Sequence, residues 1–164
     1  MNGAGYSQTY TSGVENEPLT EAIQHYLREI YKLSASGDVS VSALARAQGV
    51  SAASASAMVK KLAALELAEH ARYGVVSLTP AGERVALEVI RHHRLLELYL
   101  AETLGVHVDD VHAEADRLEH VISEELEERI DQALGYPTHD PHGDPIPDAN
   151  LRWPTTDQPP ERSH

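Results

Sequence analysis

His112, Asp116, Glu119 and His120 recur at i, i+4, i+7 and i+8 within the stretch VHAEADRLEHVISEE, residues 111–125. On a helix that spacing gathers them onto one stripe: with His112 at 0°, Asp116 falls near ~40°, Glu119 near ~−20° and His120 near ~80°. Leu118, Val121 and Ile122 fall between about 180° and 280°, which predicts that they face the core. Imidazole nitrogens and carboxylate oxygens collected on a rigid scaffold form the donor set that divalent first-row metals take. An acidic solvated face shows the same residue types, and this helix alone does not separate the two readings.

The preceding segment RHHRLLE adds a second pair, His93 and Glu97, at i and i+4. Such a pair can share one ion. His92 points about 100° away from His93, towards a different neighbour. Two antiparallel helices joined through LGVHVDD would bring His93 and Glu97 opposite the 112–120 stripe. His25, about 200° round its own helix from Ile23 and off the apolar stripe, would add a ligand from the other half of the chain. His70, His107, His139, His142 and His164 read as surface or tail residues. No sulfur is present among the candidates, so every ligand is nitrogen or oxygen. That favours Mn²⁺ or Fe²⁺ over Cu(I) and over a structural zinc site, while Zn²⁺, Co²⁺ and Ni²⁺ can bind as tightly in vitro.

Charge and pattern indicate the elements that must hold these groups. Of 164 residues with net charge −13, the first 80 carry six Lys/Arg and seven Asp/Glu, whereas the rest carry seven and nineteen, with eight of the ten histidines. A near-neutral half beside an acidic, His-rich half predicts two jobs. There is no cysteine, hence no disulfide framework or thiolate chemistry. The N-terminus lacks the basic and apolar regions of a signal peptide, and no apolar run reaches the ~18 residues of a membrane span. These features predict a cytoplasmic protein with no membrane partner.

Residues 1–16 read as a flexible arm. Over 18–34, Ile23, Leu27 and Ile30 recur at the helical period. A short helix at 40–48, a tight turn at GVS (49–51) and a second helix capped by Ser51 make a helix-turn-helix. Two short apolar runs around Arg72-Tyr73-Gly74 predict a β-hairpin, closed by TPAG. A helix-turn-helix followed by a hairpin is a winged helix. The second of its helices starts with serines (Ser51, Ser54, Ser56) and carries Lys60 and Lys61, with Arg72 at the wing tip. Hydroxyls and amides at a helix N-terminus suit phosphates, and small side chains allow approach to base edges. A winged helix that binds protein is the other reading. The positive charge is thin, so DNA binding should depend strongly on salt. Beyond it come a long amphipathic helix over 83–104, the stripe helix, and a last helix over 123–135 that either stands alone or continues the stripe helix after a bend. A Pro/Asp/His-rich tail follows, draped or disordered. The expected domains are 17–82 (winged helix), 83–147 (helical, metal-binding) and 148–164 (tail), giving a mainly α fold with a small β-wing.

Taken together, HYLREIYKL, VSALARAQGVSAASASAMVKKL, RHHRLLE, VHAEADRLEHVISEELEERI and PTHDPHGDPIP resemble the diphtheria-toxin-repressor family of metal-dependent regulators, across about residues 20–147. The resemblance implies a homodimer in which the winged helix reads a palindromic operator on double-stranded DNA and the helical domain binds metal and dimerises. It makes the chain a repressor of metal-homeostasis genes rather than an enzyme. By position, His93, Glu97 and His112 match the family's ancillary metal site, and His25, Asp116, Glu119 and His120 its primary site. Iron-responsive members typically carry Met where His25 stands and Cys where Asp116 stands; manganese-responsive members carry carboxylates at both. Asp116 and the missing sulfur tilt the expectation to Mn²⁺, with Fe²⁺ the alternative and Zn²⁺, Co²⁺, Ni²⁺ or Cd²⁺ as substitutes in vitro. The chain also stops where many iron-type members add an SH3-like third domain. The competing readings are a metallohydrolase built on the same donors and a regulator sensing an organic ligand.

Overall fold

The computed structural model of the chain describes residues 19–155. The expected arm at 1–16, and the end of the tail with His164, lie outside them. The described chain divides into two compact units between Val89 and Ile90.

In the N-terminal unit, α1 (Glu21–Ser34) begins at Thr20, whose hydroxyl accepts from the Ile23 amide at 3.3 Å. Ile23, Tyr26, Leu27 and Ile30 recur at three- and four-residue intervals and are buried, the amphipathic stripe of a surface helix. Helix α2 (Val41–Gln48) is capped by Ser40 and stops at Gly49, which takes the left-handed conformation (φ 65°) that glycine adopts without steric cost. Helix α3 (Ala52–Ala64) follows directly, its Ser51 cap accepting from Ser54 N at 3.1 Å. Leu27, Ile30, Leu44, Ala55, Val59 and Leu62 close the core with no exposed surface.

The wing is a three-stranded antiparallel sheet of order β1-β3-β2, formed by β1 (Val39–Ser40), β2 (Ala68–His70) and β3 (Val75–Leu78). The expected hairpin is β2 and β3, paired Ala68 to Leu78 and His70 to Val76. Strand β1, pairing Val39 with Val76, adds an element too short to show an alternating pattern. Thr79 ties the wing to the next helix by donating to Glu66 O at 2.7 Å and accepting from Gly82 N at 3.1 Å. Gly82 is sterically required, because a Cβ there would stand 1.9 Å from the Leu67 carbonyl oxygen.

Helix α4 (Pro80–Glu102) starts on proline, whose missing N–H costs nothing at a first helical position. In the C-terminal unit its Leu95, Leu96, Leu98 and Leu100 pack with Val111 and Ala115 of α5 (Val111–Leu118), Ile130 of α6 (Glu124–Ala133) and Ile146. The stripe helix is shorter than expected: α5 ends at Leu118, and residues 119–121 form a turn before α6. The reason is a competing start signal. Ser123 accepts from Leu126 N at 3.2 Å and places Glu124, Glu125 and Glu127 in the first turn of α6, where acids suit the helix dipole. The break also overturns the expected core face, for Leu118 is 39% and Val121 73% exposed. Val111 and Ala115 are buried instead, with Ile122 packed at the margin.

The C-terminal segment is draped rather than loose. Arg91 reaches from α4 to Glu127 and to Asp131 (2.8 Å), and donates to Pro147 O at 2.8 Å; Arg94 donates to Pro145 O. Ile146 is 2% exposed, and its amide donates to Thr138 O at 2.8 Å. Among the described residues no helix is long and apolar enough to cross a membrane.

Candidate metal centre

Helix α4 presents His93 and Glu97 one turn apart, and both are buried, at 7% and 3% exposure. His112 and Asp116 come to them from α5. The atoms His93 Nε2, Glu97 Oε1 and His112 Nδ1 stand 3.0, 3.0 and 3.1 Å from one another. Hydrogen bonding satisfies at most part of this triangle. If each imidazole nitrogen donates to the carboxylate, the two N–H groups are left facing each other. A cation satisfies all three donors at once. Two imidazoles and a carboxylate are the donor set that divalent first-row cations take, and His93, Glu97 and His112 would hold such a cation between them.

The other edge of the His93 ring is engaged too. Its Nδ1–H donates to Glu119 Oε2 at 2.6 Å, and Asp116 Oδ1 lies 3.3 Å away. A carboxylate behind a ligating imidazole fixes its tautomer and orientation and raises its basicity. Glu119 also holds His120, with Nε2 at 3.1 Å from Oε1. Asp116 Oδ2 is 3.5 Å from His112 Nε2. The two sets of ligands implied by the family resemblance thus adjoin within this unit, with Glu119 touching one histidine of each. His25 stands half-buried on α1 of the N-terminal unit.

Electrostatics follow from this packing. Burial alone would push the His93 imidazole down, but the hydrogen bonds and charges of Glu119 and Glu97 overcome it and raise its pKa to about 9. Burial would raise the Glu97 carboxyl; hydrogen bonding and charge from His93, then His112 and His142, lower it to about 2. Without a cation the centre holds itself together by ion-pairing His93⁺ with its carboxylates.

Two residues of the centre were not legible as such. His142, expected on the surface, lies 3.7 Å through Nδ1 from Glu97 Oε2. Asp140 beside it is buried, and burial, with the charges of Asp144 and Glu97, pushes its carboxyl up against the opposing amide hydrogen bonds. The available signal was the turn chemistry of HDPHGD, in which an aspartate precedes a glycine at bend spacing. His92 faces α6, meeting Glu127 and, at 3.8 Å, Glu124. The Arg91 guanidinium already neutralises Glu127 there.

On the winged helix, Ser51, Ser54, Lys60 and Lys61 are exposed along α3 and Ser56 is half-buried. The Ser51 hydroxyl is occupied by capping and donates to Ser54 Oγ at 2.9 Å. Arg72 is exposed in the wing turn, next to Tyr73, which has φ 74° and a fully exposed side chain.

Two family models match the chain. One, described as iron dependent repressor, N-terminal DNA binding domain, covers residues 18–76. The other, described as iron dependent repressor, metal binding and dimerisation domain, covers residues 79–148. The iron-dependent repressor IdeR of Mycobacterium tuberculosis is 37% identical over 130 residues, 79% of this chain and 56% of its own length. The chain therefore spans little more than half of such a relative. Among solved structures, a manganese-dependent transcriptional repressor in complex with manganese is 46% identical with a TM-score of 0.74, covering 84% of this chain and 63% of that one. ScaR with bound Zn²⁺ is 33% identical with a TM-score of 0.73, covering 84% and 64%.

Proposed function

Because the chain belongs to the diphtheria-toxin-repressor family of iron-dependent repressors, we propose that it is a divalent-metal-activated, homodimeric repressor of metal-homeostasis genes, with manganese as its metal, acting in the cytoplasm. The observation that carries this reading is the triangle of His93 Nε2, Glu97 Oε1 and His112 Nδ1, with edges of 3.0–3.1 Å, in a chain whose other unit is a winged helix. His93, Glu97 and His112 hold one cation; His25, Asp116, Glu119 and His120 hold the other. When bound, the cation supplies positive charge that neutralises clustered carboxylates. Glu119 orients His93 from behind and ties the two sites together. His25 belongs to the half of the chain that carries the recognition helix, so its ligation restrains that half. Two restrained recognition helices in a dimer then match major grooves ~34 Å apart on a palindromic operator. Exposed Leu118, Val121 and Leu126 suit self-association better than solvent. Ser54, Ser56, Lys60, Lys61 and Arg72 serve the DNA, with the Ser51 cap fixing the helix start.

Manganese is favoured by the all-nitrogen-and-oxygen donors and by Asp116. Iron(II) is the second reading, supported by the relatives named iron-dependent repressors. A fluorescence anisotropy titration of operator DNA under Mn²⁺, Fe²⁺, Zn²⁺ and no metal tests both. Glu119→Ala and His120→Ala are expected to remove the metal response while leaving a folded dimer. A full response in either variant defeats the assignment. Hydrolytic turnover with Mn²⁺, or an absence of tight metal sites by calorimetry, would favour a metallohydrolase or an organic-ligand sensor instead.

A further inference from the structure

Among the described residues Tyr73 is the most exposed large apolar side chain, at 101%, and it stands at the tip of the wing. Its backbone takes φ 74° and ψ 14°, the left-handed region that a residue with a Cβ enters at a cost. Glycine or asparagine makes such a turn more cheaply. The ring thus does nothing for the hairpin: it is uncovered, and the turn would form more easily without it. Arg72, beside it in the turn, is exposed as well.

The tip is tied closely to the recognition helix. Helix α3 passes into β2 through a turn closed by Glu66 N donating to Ala63 O (3.0 Å) and Leu67 N to Leu62 O (2.9 Å). Leu67, Ala68 and Val76 are buried in one core with Val59 and Leu62 of α3. At the far end the Ala71 amide donates to Val75 O at 2.9 Å and the Gly74 amide to Ala71 O at 3.3 Å. Thr79 fastens the base through Glu66 O. A ring on so short and braced an arm keeps a fixed place relative to α3, whose Lys60 and Lys61 are exposed.

We infer that Tyr73 is a specificity residue for the operator: its ring enters the minor groove beside the major groove assigned to α3, and it selects A·T over G·C pairs there. The inference rests on the metal-responsive repressor reading above and adds a base preference to it. The minor groove is ~6 Å wide, so a flat ring enters edge-on with its hydroxyl towards the floor. A·T and T·A pairs offer only acceptors on that floor, adenine N3 and thymine O2, to which a phenol O–H donates. A G·C pair adds the guanine amino group, which projects into the space the ring needs. A phenol releases no counterions, unlike the Arg72 guanidinium, so the two contributions to binding separate by salt dependence.

The test is in vitro selection of duplexes from a random library by the Mn²⁺-loaded full chain, followed by anisotropy titration of the enriched duplex. The wild-type chain is expected to enrich A·T pairs on the flanks of the palindrome, and to lose about tenfold in affinity when these become G·C. Inosine·cytosine pairs resemble G·C in the major groove and A·T in the minor groove, and should restore the affinity. Tyr73→Gly keeps the left-handed turn and is expected to bind all three flanks alike, with the salt slope unchanged. Arg72→Ala should lower that slope by about one. Inosine flanks that rank with G·C, or a Tyr73→Gly chain with wild-type affinity and flank preference, overturn this inference alone. A wild-type chain that selects no duplex in Mn²⁺ overturns the repressor reading together with it.

Discussion

The two units handle polar residues in opposite ways. Among the described residues of the N-terminal unit the buried ones are apolar apart from Gln24, and its candidate DNA contacts are exposed except for half-buried Ser56. The C-terminal unit buries Arg91, His92, His93, Glu97, Glu119, Glu127, Asp131 and Asp140. An apolar core is indifferent to ions and pH. A core of paired charges stands only while every charge has its partner, because an uncompensated buried charge costs several kcal/mol. One unit is thus a fixed reading head, and the other is responsive by construction.

That contrast can be broken at Arg91, where the largest effect is expected. Arg91→Ala takes the guanidinium from buried Asp131 and leaves Glu127 to His92, and should destabilise the C-terminal unit by about 3–5 kcal/mol. Trp153 is the chain's single tryptophan and packs over Arg94 at 5.7 Å, so denaturant unfolding followed by its fluorescence reports on this unit. An effect below about 1 kcal/mol would mean that the buried charges are not what holds it.

Acidity should separate the units next. The His93 pKa is raised from 6.5 to about 9, so its contribution to metal-free stability is complete below pH 6.5 and fades as pH rises towards 9. The Glu97 pKa is lowered from 4.5 to about 2, so its contribution is complete above pH 4.5 and fades as pH falls towards 2. Cation binding at Nε2 must displace the extra His93 proton. Metal affinity should therefore rise about tenfold per pH unit between pH 7 and 9, measurable by calorimetry in buffers of different ionisation enthalpy. A flat profile over that range would show that His93 is already neutral without metal.

The smallest effect belongs to the reading head. Ser51→Ala removes the α3 cap and should cost about 1 kcal/mol, seen as lower thermal stability by circular dichroism, with Mn²⁺ affinity unchanged. A change in Mn²⁺ affinity would show that the two units are not separable in this way.

Much of this was legible residue by residue. Ser51 and the Gly49 bend announce the helix-turn-helix, because capping and left-handed turns are local chemistry. His93 with Glu97 and His112 with Asp116 are visible as i, i+4 pairs, because a helix repeats every 3.6 residues. Strand β1 was hidden, since two residues make no pattern and its partner lies 35 positions away, Ser40 against Val75. The end of α5 was hidden as well, since the stripe runs on in sequence past the point where Ser123 starts a new helix.

The sequence by itself determined the donors, their nitrogen-and-oxygen character, and which of them share a helix face. The tertiary structure decided that Glu119 backs His93 instead of standing apart from it, that Val121 is exposed, and that His142 reaches Glu97. Periodicity tells the direction in which a side chain leaves its own helix. Whether atoms from residues 93, 97, 112 and 119 meet within hydrogen-bonding range, and residue 142 comes near them, depends on how α4, α5 and the C-terminal turn pack. That packing is set by Leu95, Val111, Ile130 and Ile146, none of which carries any of the chemistry.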